Sequence, residues 1–318
     1  MPADAFSYTF SVFTPTLNRA HTLPRVCAAL QAQTYRDFEW LIIDDGSTDV
    51  TPELVRGWQA EGAMPIQYHW QTNAGKHAAV NHGVAVARGA FFLFLDSDDA
   101  CVPTALERLK YHWDAIPAGQ KERFSAVSSL AQDPDGRVIG SRFPFDPTDS
   151  DPLEIRLKYQ VTGEKWGFHR TDVLRQFPYP RFGQEKALPE SLLWNRIALR
   201  YKTRYVNEPL EIYYPAPDGW GKNSTRIRAR NPHGTRQYYR EFVAMDYPIP
   251  PARLLREYAN YVRYSLHAGV GFGRTLAEIP APLTCLLAWP VGLAAFWRDR
   301  RVMGAAPPPQ RAAPEGRA

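Results

Sequence analysis

"FLFLDSDDA", residues 92–100, runs four apolar residues straight into Asp96, Ser97, Asp98 and Asp99. Three carboxylates thus follow directly on what reads as a buried strand. At ~5 Å and an effective dielectric of about 20, each like-charge pair costs roughly 3 kcal/mol, so the cluster asks for a counter-charge. An Asp-x-Asp at a strand end turns two carboxylates to the same side. Mg²⁺ or Mn²⁺, which commonly bridges a carboxylate to substrate phosphates, would supply the balance. The competing reading is a solvated acidic turn capping a helix at 103–111.

Working outward, the first hundred residues alternate strand and helix. "YTFSVFT" (8–14), "FEWLIID" (38–44), "IQYHW" (66–70) and "AFFLFLD" (90–96) read as strands. Helices are expected at 22–33, where Leu23, Val26, Cys27 and Leu30 keep helical spacing, at 50–60 after the cap-like "GSTD", and at 76–88. Such short connections suit βαβ units and a mostly parallel α/β sheet. Ligands bind beyond the carboxyl ends of strands in these sheets. "TPTLNR", "DDGSTD" and "DSDD" all fall there.

Further on, 124–141 reads as a hairpin turning at Asp135-Gly136, 188–202 as a helix, 203–214 as a strand, 217–226 as a Gly/Asn/Ser-rich mobile loop and 252–267 as an amphipathic helix. The expected division is a catalytic domain over 1–215, a loop and helical extension over 216–275, an apolar membrane-associating segment over 276–303 and a disordered tail over 304–318. Net charge is +5, and five arginines against Asp299 and Glu315 put much of it in residues 298–318. The remainder has no basic stripe of the kind nucleic acid demands. Cys27, Cys101 and Cys285 are odd in number and far apart, which speaks against disulfides or a cysteine zinc site. The N-terminus lacks the basic-then-apolar order of a signal peptide.

Two other clusters carry chemistry. In "IIDDGSTD", Asp44 and Asp45 end the second strand, and a carboxylate accepting from a base N–H can select uracil; the same residues also make an ordinary tight turn. In "NAGKHAAVNHG" (73–83), Asn73, Lys76 and His77 open a helix whose free N–H groups attract phosphate. Neither a P-loop nor Gly-x-Gly-x-x-Gly occurs at the expected place.

Together, "TPTLNRAHTLPRVCAALQAQTYRDFEWLIIDDGSTD" and "NAGKHAAVNHGVAVARGAFFLFLDSDD" resemble the family-two glycosyltransferases, the inverting group with the GT-A, Rossmann-like fold. The resemblance covers roughly residues 8–215 and implies a nucleotide site bordered by Thr14 and Pro15, with Asp45 on uracil and Asp44 beside it. Asn73 and Lys76 join that site. Asp96 and Asp98 would form the Asp-x-Asp element, Asp98 facing ribose or metal and Asp99 contacting metal and diphosphate. Leu17 stands where the family usually has an aromatic residue for stacking on the base. Aligning "LPESLLWNRI" on Leu-Leu-Trp makes Glu190 the general base, with Glu185 as fallback; the bland alternative is that Glu190 caps its helix. "EKWGFHRTDVL" (164–174) nominates Trp166, His169 and Arg170 on the acceptor side, and "GKNSTR" a lid with Lys222 or Arg226 as counter-charge.

"IPAPLTCLLAWPVGLAAFW" (279–297) has nineteen uncharged residues, but its prolines and the following "RDRR" favour an interfacial or re-entrant anchor over a single span or a buried core hairpin. The expectation is a metal-dependent inverting glycosyltransferase, cytoplasmic and peripheral on the inner membrane face. It would move sugar from a nucleotide-sugar donor, a UDP-sugar foremost, to a saccharide or lipid-linked saccharide in envelope polysaccharide synthesis. The rivals are a sugar-phosphate nucleotidyltransferase, which would want a Gly-rich basic loop after the first strand, and a non-catalytic saccharide-binding protein.

Overall fold

The computed structural model describes residues 6–215 and 220–304, with side chains of 220–223 and 304 excepted; the expected tail, from 305 on, lies outside the described residues. The first of two compact units takes the chain up to 222 together with Asp246–Pro250. Its elements are β1 (Tyr8–Thr16), α1 (Leu23–Gln31), β2 (Phe38–Asp44), α2 (Thr51–Glu61), β3 (Ile66–Trp70), α3 (Lys76–Val86), β4 (Gly89–Phe94), β5 (Ala100–Cys101), α4 (Ala105–Asp114), β6 (Phe124–Gln132), β7 (Thr148–Ser150), α5 (Pro152–Leu157), β8 (Lys165–Arg170), α6 (Thr171–Leu174), α7 (Ser191–Ala198) and β9 (Lys202–Ile212).

Among the described residues the strands form one sheet in the order β3-β2-β1-β4-β8-β6-β9-β5, with β7 added on β9. β3, β2, β1 and β4 run parallel, as the alternation of strand and helix requires. β8 enters antiparallel between β4 and β6, so the sheet as a whole is mixed. Both faces are covered. Phe10, Val12, Trp40, Ile42 and Leu93 pack under α1, α2 and α4, while Phe13, Leu41, Ile43 and Phe92 pack against α3 and α7. Two-sided burial explains why β2 is buried at every position and reads as a continuous apolar run.

One charge breaks that run. Glu39, fully buried, accepts from Ser11 Oγ (2.6 Å), Gln67 Nε2 (2.6 Å), the Arg88 backbone N–H (2.8 Å) and Arg88 Nε (2.7 Å). A second polar tie joins α4 to β9: Arg108 donates twice to Glu208 (2.9 and 2.7 Å) and His112 lies 2.6 Å away. The Arg108 hydrogen bonds lead, and His112 assists, in holding the Glu208 carboxyl down at about 2. A depressed carboxyl stabilises the fold above its unfolded value, near 4.5, and loses that contribution as pH falls toward 2. Glu208→Gln should therefore cost about 1–2 kcal/mol at neutral pH after allowing for solvent screening. Urea unfolding across pH checks this, and the gap between variant and wild type should close in strong acid.

The expected hairpin at 124–141 is only half formed. Its turn closes around Gly136 (φ 82°), but the returning arm makes a single bridge, Gln132 to Val138, because β8 and β9 already occupy both edges of β6. The helix expected over 188–202 is shorter, Ser191–Ala198. The three cysteines are free and buried, and burial pushes the thiols up to about 11 for Cys27 and Cys285 and about 12 for Cys101.

The second unit, Asn223–Met245 with residues from 251 on, is helical: α8 (Trp220–Arg230, which starts in the first unit), α9 (Pro232–Ala244), α10 (Pro251–His267), α11 (Phe272–Ala277) and α12 (Pro282–Gly304). The loop expected at 217–226 is thus helical from Trp220, and 217–219 lie outside the described residues. α10 buries Tyr258, Tyr261, Val262 and Tyr264. Leu255, expected on the same face as Tyr258, is exposed instead. Arg236 reaches Tyr261, Ser265 and Glu278, and Arg263 and His267 both meet Asp299. Among the described residues, no helix is long and apolar enough to cross a membrane.

Candidate active site

The polar ends of β1, β2 and β4 converge as the sequence predicts, and hydrogen bonds hold their loops together. Asn18, in the left-handed region (φ 55°), accepts from the Thr48 backbone N–H (2.8 Å), and its own N–H donates to Ser47 Oγ (2.8 Å). Asp49 accepts from Ala20 N–H (3.1 Å). The "TLNR" and "GSTD" loops are therefore one latched unit.

The two aspartates of β2 do different jobs. Asp44 is fully buried; it accepts from Gly46 and Ser47 N–H (3.1 and 2.7 Å) and from the Tyr68 hydroxyl (2.6 Å). It pins the turn and does not face outward. Asp45 accepts from Gln71 Nε2 (2.7 Å) and from the N–H groups of Ala74 and Gly75 (both 2.8 Å), which fixes the loop that opens α3. Asn73 sits in that loop against Gly46, where a Cβ would stand 3.0 Å from the Asn73 backbone nitrogen and whose φ of +96° also favours glycine. Thr14 is buried, its hydroxyl accepting from the Trp40 indole (3.0 Å), so only the half-buried Pro15 borders the edge on β1.

Lys76 supplies part of the counter-charge. Its ammonium lies 2.9 Å from Asp96 and 2.9 Å from Glu190, joining the acidic cluster to a carboxylate more than ninety residues further along the chain. Desolvation opposes the charged form, but these two carboxylates outweigh it and raise the ammonium well above its usual value. The approach depends on Gly75: at φ +92°, a Cβ there would stand 1.9 Å from the Lys186 carbonyl oxygen. Asn81, one turn into α3, both donates to and accepts from the Tyr179 backbone (2.9 Å each), and the Tyr179 hydroxyl donates to the Glu190 carbonyl (3.3 Å). Glu190 makes no side-chain cap to α7, and its carboxylate is half-exposed. Gly75→Ala should cost at least about 2 kcal/mol, from left-handed strain and the backbone clash, and should move Lys76 away from Glu190. Thermal unfolding and a crystal structure of the variant would check both.

Asp98 and Asp99 differ in the same way. Asp98 is partly open, with Arg19 at 3.9 Å, and its carbonyl accepts from Arg25 (2.7 Å). Burial, then the Asp96 charge, raise its carboxyl. Asp99 is buried and accepts from Tyr214 N–H (2.8 Å); burial outweighs that hydrogen bond, and Asp96 and Asp98 help push the carboxyl up to about 7. Across the β5–β9 ladder, Glu211 Oε2 is buried without a partner among the described residues, and burial with the charges of Glu164, Asp99 and Asp96 keeps that carboxyl well above its usual value. Among the described residues, no three His, Cys, Asp or Glu converge as a self-sufficient metal cage. Asp96 and Asp98, adjacent, repelling and partly open, nonetheless suit a hard divalent cation that completes its shell with a diphosphate. Asp99, named from sequence as a ligand, has one oxygen tied to Tyr214.

The acceptor-side residues are less open than their sequence suggests. Trp166 is in the core, its indole donating to the Phe94 carbonyl (2.5 Å), so its faces are not available for a sugar. His169 stacks flat on Trp194 (4.4 Å, 8°), and burial pushes the imidazole down to about 3. Arg170 is paired with Asp172 (2.6 Å). Arg19, Arg25 and Tyr214 were missed from sequence. Arg25 stacks over Tyr214 (3.6 Å) while clamping the acidic loop, a contact between residues 25 and 214 that no local pattern signals. A separate cleft of about 180 Å³, lined by Val80, Val84, Leu174 and Phe177 among others, is apolar and holds no catalytic set.

Residues 11–137 match the family model described as Glycosyl transferase family 2. An uncharacterized glycosyltransferase of Nostoc sp. is 37% identical over 207 residues, 59% of this chain and 64% of that protein. A PGL/p-HBAD biosynthesis glycosyltransferase of Mycobacterium bovis is 37% identical over 91 residues, 29% of this chain and 36% of that one. The chain thus spans less than two thirds of these relatives. Among solved structures, S. aureus TarS 1-349 in complex with UDP-GlcNAc superposes with a TM-score of 0.63 at 16% identity, covering 93% of this chain and 91% of that one. A mannosyltransferase of Pyrobaculum calidifontis in complex with GDP-Man and Mn²⁺ gives 0.54 at 20% identity, covering 92% and 87%. These likenesses establish the fold, GT-A.

Proposed function

We propose, from the match of residues 11–137 to the glycosyl transferase family 2 model, that the chain is an inverting, metal-dependent glycosyltransferase of the hexosyl type using a nucleotide-sugar donor, a UDP-sugar first. The observation that carries the reading is the Asp96–Lys76–Glu190 chain, which joins a diphosphate-binding cluster to an open carboxylate. The solved neighbours bound to UDP-GlcNAc and to GDP-Man with Mn²⁺ support a nucleotide diphosphate there.

In this reading the latched loops, held in place by Asp45, receive the base, and Asp96 and Asp98 face the ribose and diphosphate. Asp96 and Asp98 would hold a divalent metal, which would supply positive charge against the departing diphosphate. Lys76, already positive, adds to that attraction by turning from Glu190 to the phosphates. Glu190, so released, takes the proton of the acceptor hydroxyl as that oxygen attacks the anomeric carbon from the face opposite the diphosphate. One C–O bond forms, the sugar–phosphate bond breaks, and configuration inverts. The acceptor is a saccharide or lipid-linked saccharide in envelope polysaccharide assembly, reached from the cytoplasmic face of the membrane with residues 279–297 against the lipid.

Titration calorimetry with UDP, with and without Mn²⁺, tests the donor half directly. Metal-stimulated UDP binding is expected; folded protein that binds no UDP with Mn²⁺ present would overturn the reading.

A further inference from the structure

Helix α12 is uncharged from Pro282 to Trp297, yet only one of its sides is covered among the described residues. On the inner side Cys285, Ala288 and Gly292 are buried; a Cβ on Gly292 would stand 2.6 Å from the Ala259 carbonyl oxygen and 2.7 Å from Val262, so α12 lies directly on α10. Asp299 continues this side and is neutralised by Arg263 at 2.6 Å. The outer side is apolar as well. Leu283 and Leu287 are each 75% exposed, Val291 62% and Trp297 52%. A helix apolar all round belongs in a core or in lipid, and α12 has a core on one side only.

Charge decides what covers the other side. Arg298, Arg300 and Arg301 are all exposed at the C-terminal end, and the one acid among them, Asp299, points inward. The Arg300 guanidinium lies over Phe296 and Trp297 (5.9 and 5.6 Å), which sets a cation and an indole side by side. An apolar face with a Trp and arginines at its edge matches the headgroup boundary of a bilayer. We propose that the outer face of α12 docks this protein on an anionic lipid surface, its leucines and Val291 entering the acyl boundary and the three arginines meeting lipid phosphates. This deepens the membrane element of the function proposed above and stands independently of the transfer chemistry.

The test is co-sedimentation of the full chain with vesicles of phosphatidylcholine alone or mixed with phosphatidylglycerol, beside sedimentation velocity without lipid. Binding to the mixed vesicles is expected, weakened by salt and by omission of phosphatidylglycerol. Leu287→Glu with Val291→Glu should abolish it. Arg298→Gln, Arg300→Gln and Arg301→Gln should each weaken it by about fivefold. All these positions are exposed, and unchanged circular dichroism and UDP titrations in the variants confirm an intact fold. Wild-type protein that ignores anionic vesicles, or a double-glutamate variant that binds as before, overturns the proposal. So does a dimer broken by that variant without any vesicle binding, which would assign the face to a second copy. Absence of UDP binding in the wild type would count against the transferase reading alone.

Discussion

Glu190→Gln is expected to lower transfer turnover by about 10²–10⁴-fold, the usual contribution of a general base, while metal-stimulated UDP binding persists. Glutamine keeps the size of the side chain and cannot take a proton. The fold should tolerate it, because the carboxylate is half-exposed, makes no cap to α7 and has Lys76 as its ion-pair partner. Partly exposed pairs of this kind are worth about 0–1 kcal/mol. The substitution also frees Lys76 from one of its two carboxylates, so UDP affinity should hold or rise. Single-turnover transfer measured beside UDP titration separates the two effects. Turnover equal to wild type would remove Glu190 from the chemistry and direct attention to Glu185.

Asp98→Asn should move two observables in opposite directions. Metal-stimulated UDP binding should fall by about 10- to 150-fold, the equivalent of losing one charge-assisted partner. Stability without ligand should rise at neutral pH, because burial and the Asp96 charge disfavour the ionised carboxyl. The sign follows from linkage: a raised carboxyl binds its proton more readily folded than unfolded, so its penalty grows as pH climbs above the ordinary value and disappears below it. The stabilising effect of asparagine should therefore vanish in acid. Calorimetry with Mn²⁺ and urea unfolding across pH read the two arms, and a variant that binds UDP and metal unchanged would detach Asp98 from the site.

The parallel half of the sheet was legible because β1, β2 and β4 are apolar runs buried along most of their length with a helix between successive strands, signals that survive without tertiary knowledge, although β3, at the sheet edge, is only half-buried. The 217–226 stretch was read as a loop on its Gly, Asn and Ser content. Tertiary contacts overrode those weak propensities: Ala229 is buried, and Arg228 reaches the Tyr239 hydroxyl at 3.2 Å. Within the site, the pairing of Lys76 with Asp96 and Glu190 was not legible, since it depends on how residues 179–190 return over α3. Composition likewise gave no sign that Asp44 spends its oxygens on a turn while Asp45 spends its own on the next loop, because both positions carry the same side chain. Trp166 illustrates the same limit: a tryptophan near a cleft and one in a core look alike in a string of letters.

Glu39 has a consequence at the opposite end of its strand. It stands near the start of β2, five residues before Asp44 and so roughly 17 Å from it. Every hydrogen bond it accepts comes from a neighbour in the correct alignment: Ser11 on β1, Gln67 on β3 and Arg88 beside β4. Sliding β2 by one position would turn a full negative charge toward hydrocarbon with none of those donors, at a cost of several kcal/mol. The apolar run by itself imposes little such penalty, since Leu41, Ile42 and Ile43 are nearly interchangeable in shape. A buried acid remote from any ligand thus acts as a proofreader of strand alignment, and through the stiffness of the strand it sets where Asp44 and Asp45 emerge.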